Sequence, residues 1–398
     1  DAAVIGKVTN DGLLRIKDGT ETVAEIPAKA LAEEGPRYDR PAAPPPYQDF
    51  LQSLNVEALP DVKHPDEALL ALFGHMVGTK TVVCPGSDAA VVRIKGTCKA
   101  LAMTTDGNSR YCLLNPHMGG SLAVAEAARN LVCSGAQPVG VTDCLNFGNP
   151  ERPDIMWQFV MAIEGIADAC RAFDIPVVSG NVSFYNETNG LSIYPTPILG
   201  MVGIIDFPEH ITTQWFKQPG DHILLLGQNN EDLGGTEYLK IIHSREQGLI
   251  PWLDLEVEQR LHRCLLGLIR RGWVQSAHDC SEGGLLVALA ECCITHPLRP
   301  LGARLTIPPH RIRLDALLFG ESPSRAVISV KPENRAEVIE AIREADVPLT
   351  DLGTVAESDF QVDVQPLPPA SAVRISLSEV HMAEVWRQSL SVRLNGHE

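Results

Sequence analysis

From about residue 66 onward, short apolar runs of strand character alternate with longer stretches of helical periodicity, and few architectures accommodate that alternation. Strands are predicted at 91–94 and 100–103, then a helix at 121–134 closed by Gly135 in the left-handed position that commonly ends helices. A second helix, about 155–173, carries Trp157, Val160, Ile163, Ala167 and Cys170 on one face, and 175–178 reads as a short buried strand. After Gln218-Pro219-Gly220 a second block opens at 222–227. Its predicted helices, near 233–246, 256–271, 282–294 and 333–345, alternate with strands such as 325–330, and a last helix at 378–390 packs back on it. The expected class is α+β, with mixed sheets and segregated helices rather than a doubly wound nucleotide fold.

The first forty residues do not share this pattern. Residues 4–9, the turn Asn10-Asp11-Gly12 and residues 13–16 read as a hairpin, because Asn, Asp and Gly tolerate the positive φ of a tight turn. A lone hairpin buries too little to stand by itself. Arg40-Pro41-Ala42-Ala43-Pro44-Pro45-Pro46 follows as a stiff extended connector. The expected organisation is the tail of a preceding domain over 1–40, a Pro-rich linker over 41–65, and two domains over 66–206 and 219–398; a chain of 398 residues has room for both.

With 33 Lys+Arg against 50 Asp+Glu the formal charge is −17, which repels phosphate backbones and anionic lipid at long range. Nucleic acid and membrane surfaces are therefore excluded as expected partners. No 18-residue apolar run and no leader-like start occurs, so a cytoplasmic setting is expected. The ten cysteines form no CxxC pair and include the vicinal Cys292-Cys293 in an apolar helical pattern; they read as reduced core thiols.

Generic phosphate and hydrolase signatures fail. No GxGxxG follows a strand, no HExxH or GxSxG occurs, and residues 74–81 miss the GxxxxGK[ST] loop by one residue in spacing. Glycine-rich loops bearing carboxylates and amides remain. Pro85-Gly86-Ser87-Asp88 presents a carboxylate before a strand, either capping its own turn or serving as a ligand. Glu126 and Asn130 stand four residues apart on one helix face, either solvated or, with Asp88, offering hard oxygen ligands to Mg2+. Asp106 is another loop carboxylate, with a turn role as its plain reading.

The loop from Asp143 to Pro150 places a carboxylate, two Asn and a Gly directly after an apolar strand. Val177-Val178-Ser179-Gly180-Asn181-Val182-Ser183 repeats the logic; both are either polar loops or a route to a phosphate-bound metal. His278-Asp279-Cys280-Ser281-Glu282-Gly283-Gly284 leads into an apolar helix whose N-terminus attracts anions, with Ser281 or Asp279 as cap and His278 beside Asp279 as a potential dyad or a structural hydrogen-bonder.

These segments, together with Phe319-Gly320-Glu321-Ser322-Pro323-Ser324-Arg325, resemble in order the C-terminal half of the synthetase subunits of phosphoribosylformylglycinamidine synthases. The resemblance implies a ferredoxin-like, AIR-synthase-type N-terminal domain followed by an AIR-synthase C-terminal-type α/β domain. It implies conversion of formylglycinamide ribonucleotide with ATP, Mg2+ and ammonia, alongside a glutaminase subunit, a small accessory subunit and an N-terminal half that this chain lacks. It assigns Asp143, Gly180 and Ser281 to ATP or an auxiliary nucleotide, Ser183 to the ribonucleotide, and Asn181, Asp88, Glu126, Asn130 and Asp279 to magnesium. The family's catalytic histidine falls in the other half, so no catalytic residue is expected here, and the chain alone is expected to be inactive and to homodimerise through residues 66–206. Competing expectations are an aminoimidazole ribonucleotide synthetase, a selenophosphate synthetase, or a non-catalytic nucleotide-binding module.

Overall fold

A computed structural model of the chain describes residues 6–32, 80–365 and 372–394. They belong to two compact units, 1–68 and 69–398. In the first, β1 (Leu13–Asp18) pairs with β2 (Glu21–Pro27), followed by the short helix α1 (Ala28–Ala32). The hairpin turns at Gly19, with φ +57°, and not at residues 10–12 as the Asn-Asp-Gly signal suggested. Asp11 is instead used locally, its Oδ1 accepting the Thr9 hydroxyl and the Leu13 amide. Residues 4–5, the linker at 41–65 and the stretch at 74–79 lie outside the described residues.

The second unit holds two sheets. The first is built from β3 (Thr81–Val83), β4 (Ala90–Arg93), β5 (Ala100–Asp106), β6 (Gln137–Asn146), β7 (Val177–Ser183) and β10 (Thr196–Ile205), in the order β3-β4-β5-β10-β6-β7; a small ribbon, β8 (Glu187–Thr188) and β9 (Leu191–Ser192), precedes β10. Between β5 and β6 run α2 (Ser109–Leu114) and α3 (Pro116–Cys133); α4 (Pro153–Phe173) crosses from β6 to its parallel neighbour β7.

Helix α3 begins five residues before the predicted 121. Asn115 caps it by accepting the Met118 amide, and Pro116 sits at N1, where no amide donor is required. Helices α3 and α4 meet at backbone distance: a Cβ on Gly165 would lie 1.8 Å from the His117 carbonyl oxygen, and the Ser121 hydroxyl bridges to the Gly165 carbonyl at 2.9 Å.

One expectation fails here, and one apolar helix face is not the buried one. The face of α4 carrying Trp157, Val160 and Ile163 is largely exposed, Trp157 by 57%; burial falls on Ile155, Ala162, Ile166 and Ala169, with Cys170. The strand predicted as buried at 175–178 is the exposed edge strand β7, shifted toward Ser183. A run of valines looks alike whether a strand is central or at an edge.

The second sheet has the order β12-β14-β11-β15-β13-β16-β17. In chain order its unit comprises β11 (His222–Leu226), α5 (Glu237–His243), α6 (Leu255–Arg270), β12 (Val274–Asp279), α7 (Gly284–Ile294), β13 (Gly302–Ile307), α8 (Leu314–Phe319), β14 (Ala326–Val330), α9 (Arg335–Glu344), β15 (Leu349–Ala356), β16 (Phe360–Val364), β17 (Val373–Leu377) and α10 (Glu379–Leu394). β13 and β16 run parallel and the other pairs antiparallel. Helices are not segregated to one face: Ile223 and Leu225 of β11 point into the core with α7 and α8, while Leu224 and Leu226 point into the core with α6 and α9. Each such fully buried side chain contributes about 1.5–3 kcal/mol.

Val132 and Cys133, at the end of α3, belong to that second core, so the helix serves both sheets. Among the cysteines, Cys84, Cys98 and Cys144 are exposed and thus not the core thiols expected; the other seven are buried, and all ten are free. Among the described residues no helix is long and apolar enough to cross a membrane.

Candidate functional site

Where α3 meets the end of β12, carboxylates accumulate. Asp106 ends β5 and accepts hydrogen bonds from Asn130 at 2.8 Å and from the Thr104 hydroxyl at 2.9 Å. Arg129, next to Asn130, is fully buried and clamps Asp279 through its Nε and Nη2, while its Nη1 donates to Glu258 at 2.8 Å. Asp88, in its glycine turn, accepts the Asp279 amide at 2.9 Å and faces His278 Nδ1 at 3.0 Å; His278 Nε2 faces Glu291 at 3.1 Å. Of the two readings of His278, the dyad with Asp279 is not formed, because adjacent residues on a strand point to opposite faces, and the imidazole is a hydrogen-bonder between Asp88 and Glu291.

Glu126, one turn before Asn130, carries no hydrogen bond among the described residues and lines a small cavity with Ser281, Glu282, Arg129, Tyr111 and Glu321. Glu321 accepts from the Tyr111 hydroxyl and from the Glu237 and Gly283 amides, the latter two at 2.9 Å, and so ties α2, α5 and the turn before α7 together. The cavity measures about 20 Å3, room for about one water.

The electrostatics are lopsided. Burial, reinforced by the charges of Glu282, Asp279 and Asp106, raises Glu126 well above the usual carboxylate range. Burial likewise pushes Asp106 up to about 7, and raises Asp279 and Glu282. Burial opposes the charge on His278, yet Asp88 and Glu291 outweigh it and hold the imidazole well above its ordinary value. Burial also works against ionisation of Glu258, but Arg129 and His262 overcome it and keep it at about 2.

Among the described residues no three His, Cys, Asp or Glu side chains are gathered tightly enough to hold a metal ion. Of the five positions expected to bind magnesium, Asn181 stands apart on β7, Asp88, Asn130 and Asp279 are engaged by protein partners, and Glu126 carries no hydrogen bond among the described residues. The oxygen donors that line the cavity, Glu126, Glu282 and Ser281, are nonetheless of the kind a hard cation takes, and the space admits one small guest.

A second group stands on β6 and β7. Their register pairs Asp143 with Gly180, Cys144 with Asn181 and Asn146 with Ser183. A Cβ on Gly180 would lie 2.2 Å from Asp143 Oδ1, so the carboxylate rests across the neighbouring strand only because that residue is glycine. Burial raises Asp143, partly offset by a hydrogen bond from the Asn181 backbone. Alternation then divides the group: Asp143 shares its face with buried Val141 and Leu145, while Asn181 and Ser183 share the opposite face with Cys144 and Asn146. The Ser183 hydroxyl is paired with Asn186. The following loop is anchored by Phe147, buried and edge-on to Phe159 at 5.2 Å. Ser281 lines the acidic cavity, apart from Asp143 and Gly180 on β6 and β7.

Sequence reasoning missed Arg129, Glu258 and Tyr111. Arg129 lies on a predicted helix, but its partners Glu258 and Asp279 are 129 and 150 positions away, and an arginine carries no local mark of being buried. Arg325, the last residue of the Phe319 to Arg325 segment, is also fully buried and donates to the Ser322 and Gly320 carbonyls and to Asn229, each at 2.7 Å, fixing that loop's shape.

The chain matches the AIR synthase related protein N-terminal domain over residues 86–205 and the corresponding C-terminal domain over residues 218–365. It is 46% identical over 98% of its length to the phosphoribosylformylglycinamidine synthase subunit PurL of Alkaliphilus metalliredigens, covering 54% of that protein. Its fold is similar to Thermotoga maritima PurL complexed with FGAR, with a TM-score of 0.63, 20% identity, and coverage of 76% of this chain and 49% of that one. It is also similar to the same protein complexed with AMPPCP, with a TM-score of 0.51, 25% identity, and coverage of 87% and 50%. The chain spans about half the length of the curated relatives it matches. Two family domains in sequence, and near-half identity along almost all of its length, establish that the chain belongs to the AIR synthase related proteins and among them to the PurL subunits.

Proposed function

We propose that this chain is the nucleotide-handling half of an enzyme that turns formylglycinamide ribonucleotide into formylglycinamidine ribonucleotide, using ATP, Mg2+ and glutamine-derived ammonia. The observation that carries the reading is the crowding of the Glu282, Asp279 and Asp106 charges on Glu126, which with Glu282 lines a one-water cavity. PurL relatives have been solved with FGAR and with AMPPCP, which supports the substrate and cofactor classes.

In this reading Glu126, with Asp279, Asn130 and Asp88 behind it, holds magnesium at the junction, and Ser281 faces the auxiliary nucleotide. The cavity is too small for a nucleotide itself, which favours a structural role for this junction. The reacting nucleotide lies over β6 and β7. There Asn181 and Ser183, on one face of β7, reach the metal of the phosphates and the ribonucleotide, while Asp143, on the opposite face, acts through the bare backbone at Gly180 that it rests against, which is set toward the phosphates. Bound Mg2+ would neutralise phosphate charge as it develops. The chain's own part is to hold reactants in line through preset backbone and carboxylate groups. The glutaminase, the accessory subunit and the cytoplasmic setting belong to the same proposal, as do domain limits near 66–206 and 219–398.

Calorimetric titration of the chain with ATP tests this. Binding is expected with Mg2+ and is expected to fall at least tenfold with EDTA, in Gly180→Ala and in Glu126→Gln, while the melting temperature of Gly180→Ala stays near that of the parent. Equal affinity with and without Mg2+ would defeat the proposal. A second expectation concerns the uncovered face of the first sheet, where Met103, Val139 and Val178 are exposed. A homodimer in sedimentation velocity at micromolar concentration is expected; a monomer would rule it out.

A further inference from the structure

The groove between α6 and α9 lies apart from both groups of residues above. Along α6 and its C-terminal cap, Arg260, Arg263, Gly267 and Arg271 follow one another at intervals of three, four and four, a stripe about 16 Å long on one side of the helix. They line an open groove of about 420 Å3 whose floor is Leu268 with Ala341 and Ala345, two small residues one turn apart at the end of α9. A Cβ added at Gly267 would meet nothing within 4 Å, so the groove is open there.

The guanidinium groups are poorly satisfied. Arg260 Nε is shut off from solvent without a hydrogen-bond partner; its ion-pair partner Asp346, with a side chain 93% exposed, stands at 3.9 Å, beyond hydrogen-bond reach. Arg271 lies over the Trp273 ring at 5.0 Å, and Arg263 has no bond or ion pair among the described residues. Glu344 is the one carboxylate on the groove wall. Three guanidinium groups against Glu344 on the wall and Asp346 at the edge leave the groove with an excess of positive charge, which favours a further negative group. On a chain of net charge −17 this is a local reversal of sign.

We infer that this groove docks an acidic amphipathic helix of a partner protein, its apolar side on Leu268, Ala341 and Ala345 and its carboxylates on Arg260, Arg263 and Arg271. Charge complementarity selects the anion, and three further features select its form. The groove is open along its length, whereas small-molecule sites enclose most of their ligand. Its floor is apolar, which a phosphate would not use. The overall negative charge repels a nucleic-acid chain. Helix-in-groove recognition with anchors at helical spacing fits all three.

The test uses the whole chain and a synthetic, fluorescein-labelled 16-residue helical peptide with Glu on one face and Leu and Ala on the other, read by anisotropy at 50 and 300 mM NaCl. Binding in the micromolar range at low salt is expected, weakened at least tenfold by Arg263→Glu with Arg271→Glu and several-fold by Arg260→Gln, and nearly unchanged by Arg311→Glu at an exposed site outside the groove. A scrambled peptide of the same composition is expected to bind at least tenfold more weakly. Circular dichroism melts confirm that the variants fold. Equal binding by the charge-reversed variant or by the scrambled peptide, absence of binding by the parent chain, or displacement of the peptide by micromolar inorganic tripolyphosphate would each overturn the inference.

Discussion

Arg129 shows what a single side chain does in this molecule. Its guanidinium is buried and supplies donors to Asp279 and Glu258, and Glu258 in turn faces His262 at 2.7 Å and accepts from Ser324. Removing one member of such a set leaves charges buried without partners, which costs about 3–5 kcal/mol. Arg129→Met is therefore expected to lose roughly that much in urea denaturation, whereas a loss below about 1 kcal/mol would show that water replaces the guanidinium. Part of this chemistry was legible in the sequence. The four-residue spacing placed Glu126 and Asn130 on one face, and the glycine turn marked Asp88. The pairing of Asp88 with His278 was not legible, because 190 positions separate them and neither residue type announces burial.

At the scale of elements, the helices were read best, since periodicity and capping are local: α4, α6, α7 and α9 fall within a few residues of expectation. β7 was misread as buried because period and valine content do not report what covers a strand, and the hairpin shifted because Gly19 offered a competing turn. The segment joining the two sheets holds a titration that no pattern foretold. The Lys217 ammonium donates to the Thr213 hydroxyl and, at 2.9 Å, to the Trp215 carbonyl, and burial lowers its pKa to about 7. The unfolded chain keeps this proton up to about 10.5. Below pH 7 both states are protonated and the folded one bears the full penalty. Between 7 and 10.5 the unfolded state holds more protons, so stability rises with pH by up to about 1.4 kcal/mol per unit. Urea denaturation should show the parent gaining roughly 2 kcal/mol on Lys217→Met between pH 7 and 9, and parallel profiles would refute it.

For the molecule as a whole, the two sheets share α3: Leu131 lies in the core of the first, and Val132 and Cys133 in that of the second. Buried ion pairs between Arg129 and the β12 and α6 side reinforce the join. Calorimetry is expected to give one cooperative transition for residues 69–398, with calorimetric and van't Hoff enthalpies in agreement; two resolved peaks would show that the halves melt independently. The shared helix also limits how anything can enter. A jaw-like rotation of one half against the other would tear the common wall and strand its charges, so ligand capture falls to the turns that rim the rigid body, such as residues 281–284. On the proposed function, arrival rates are expected to depend on local opening of such turns and not on any reorientation of the halves.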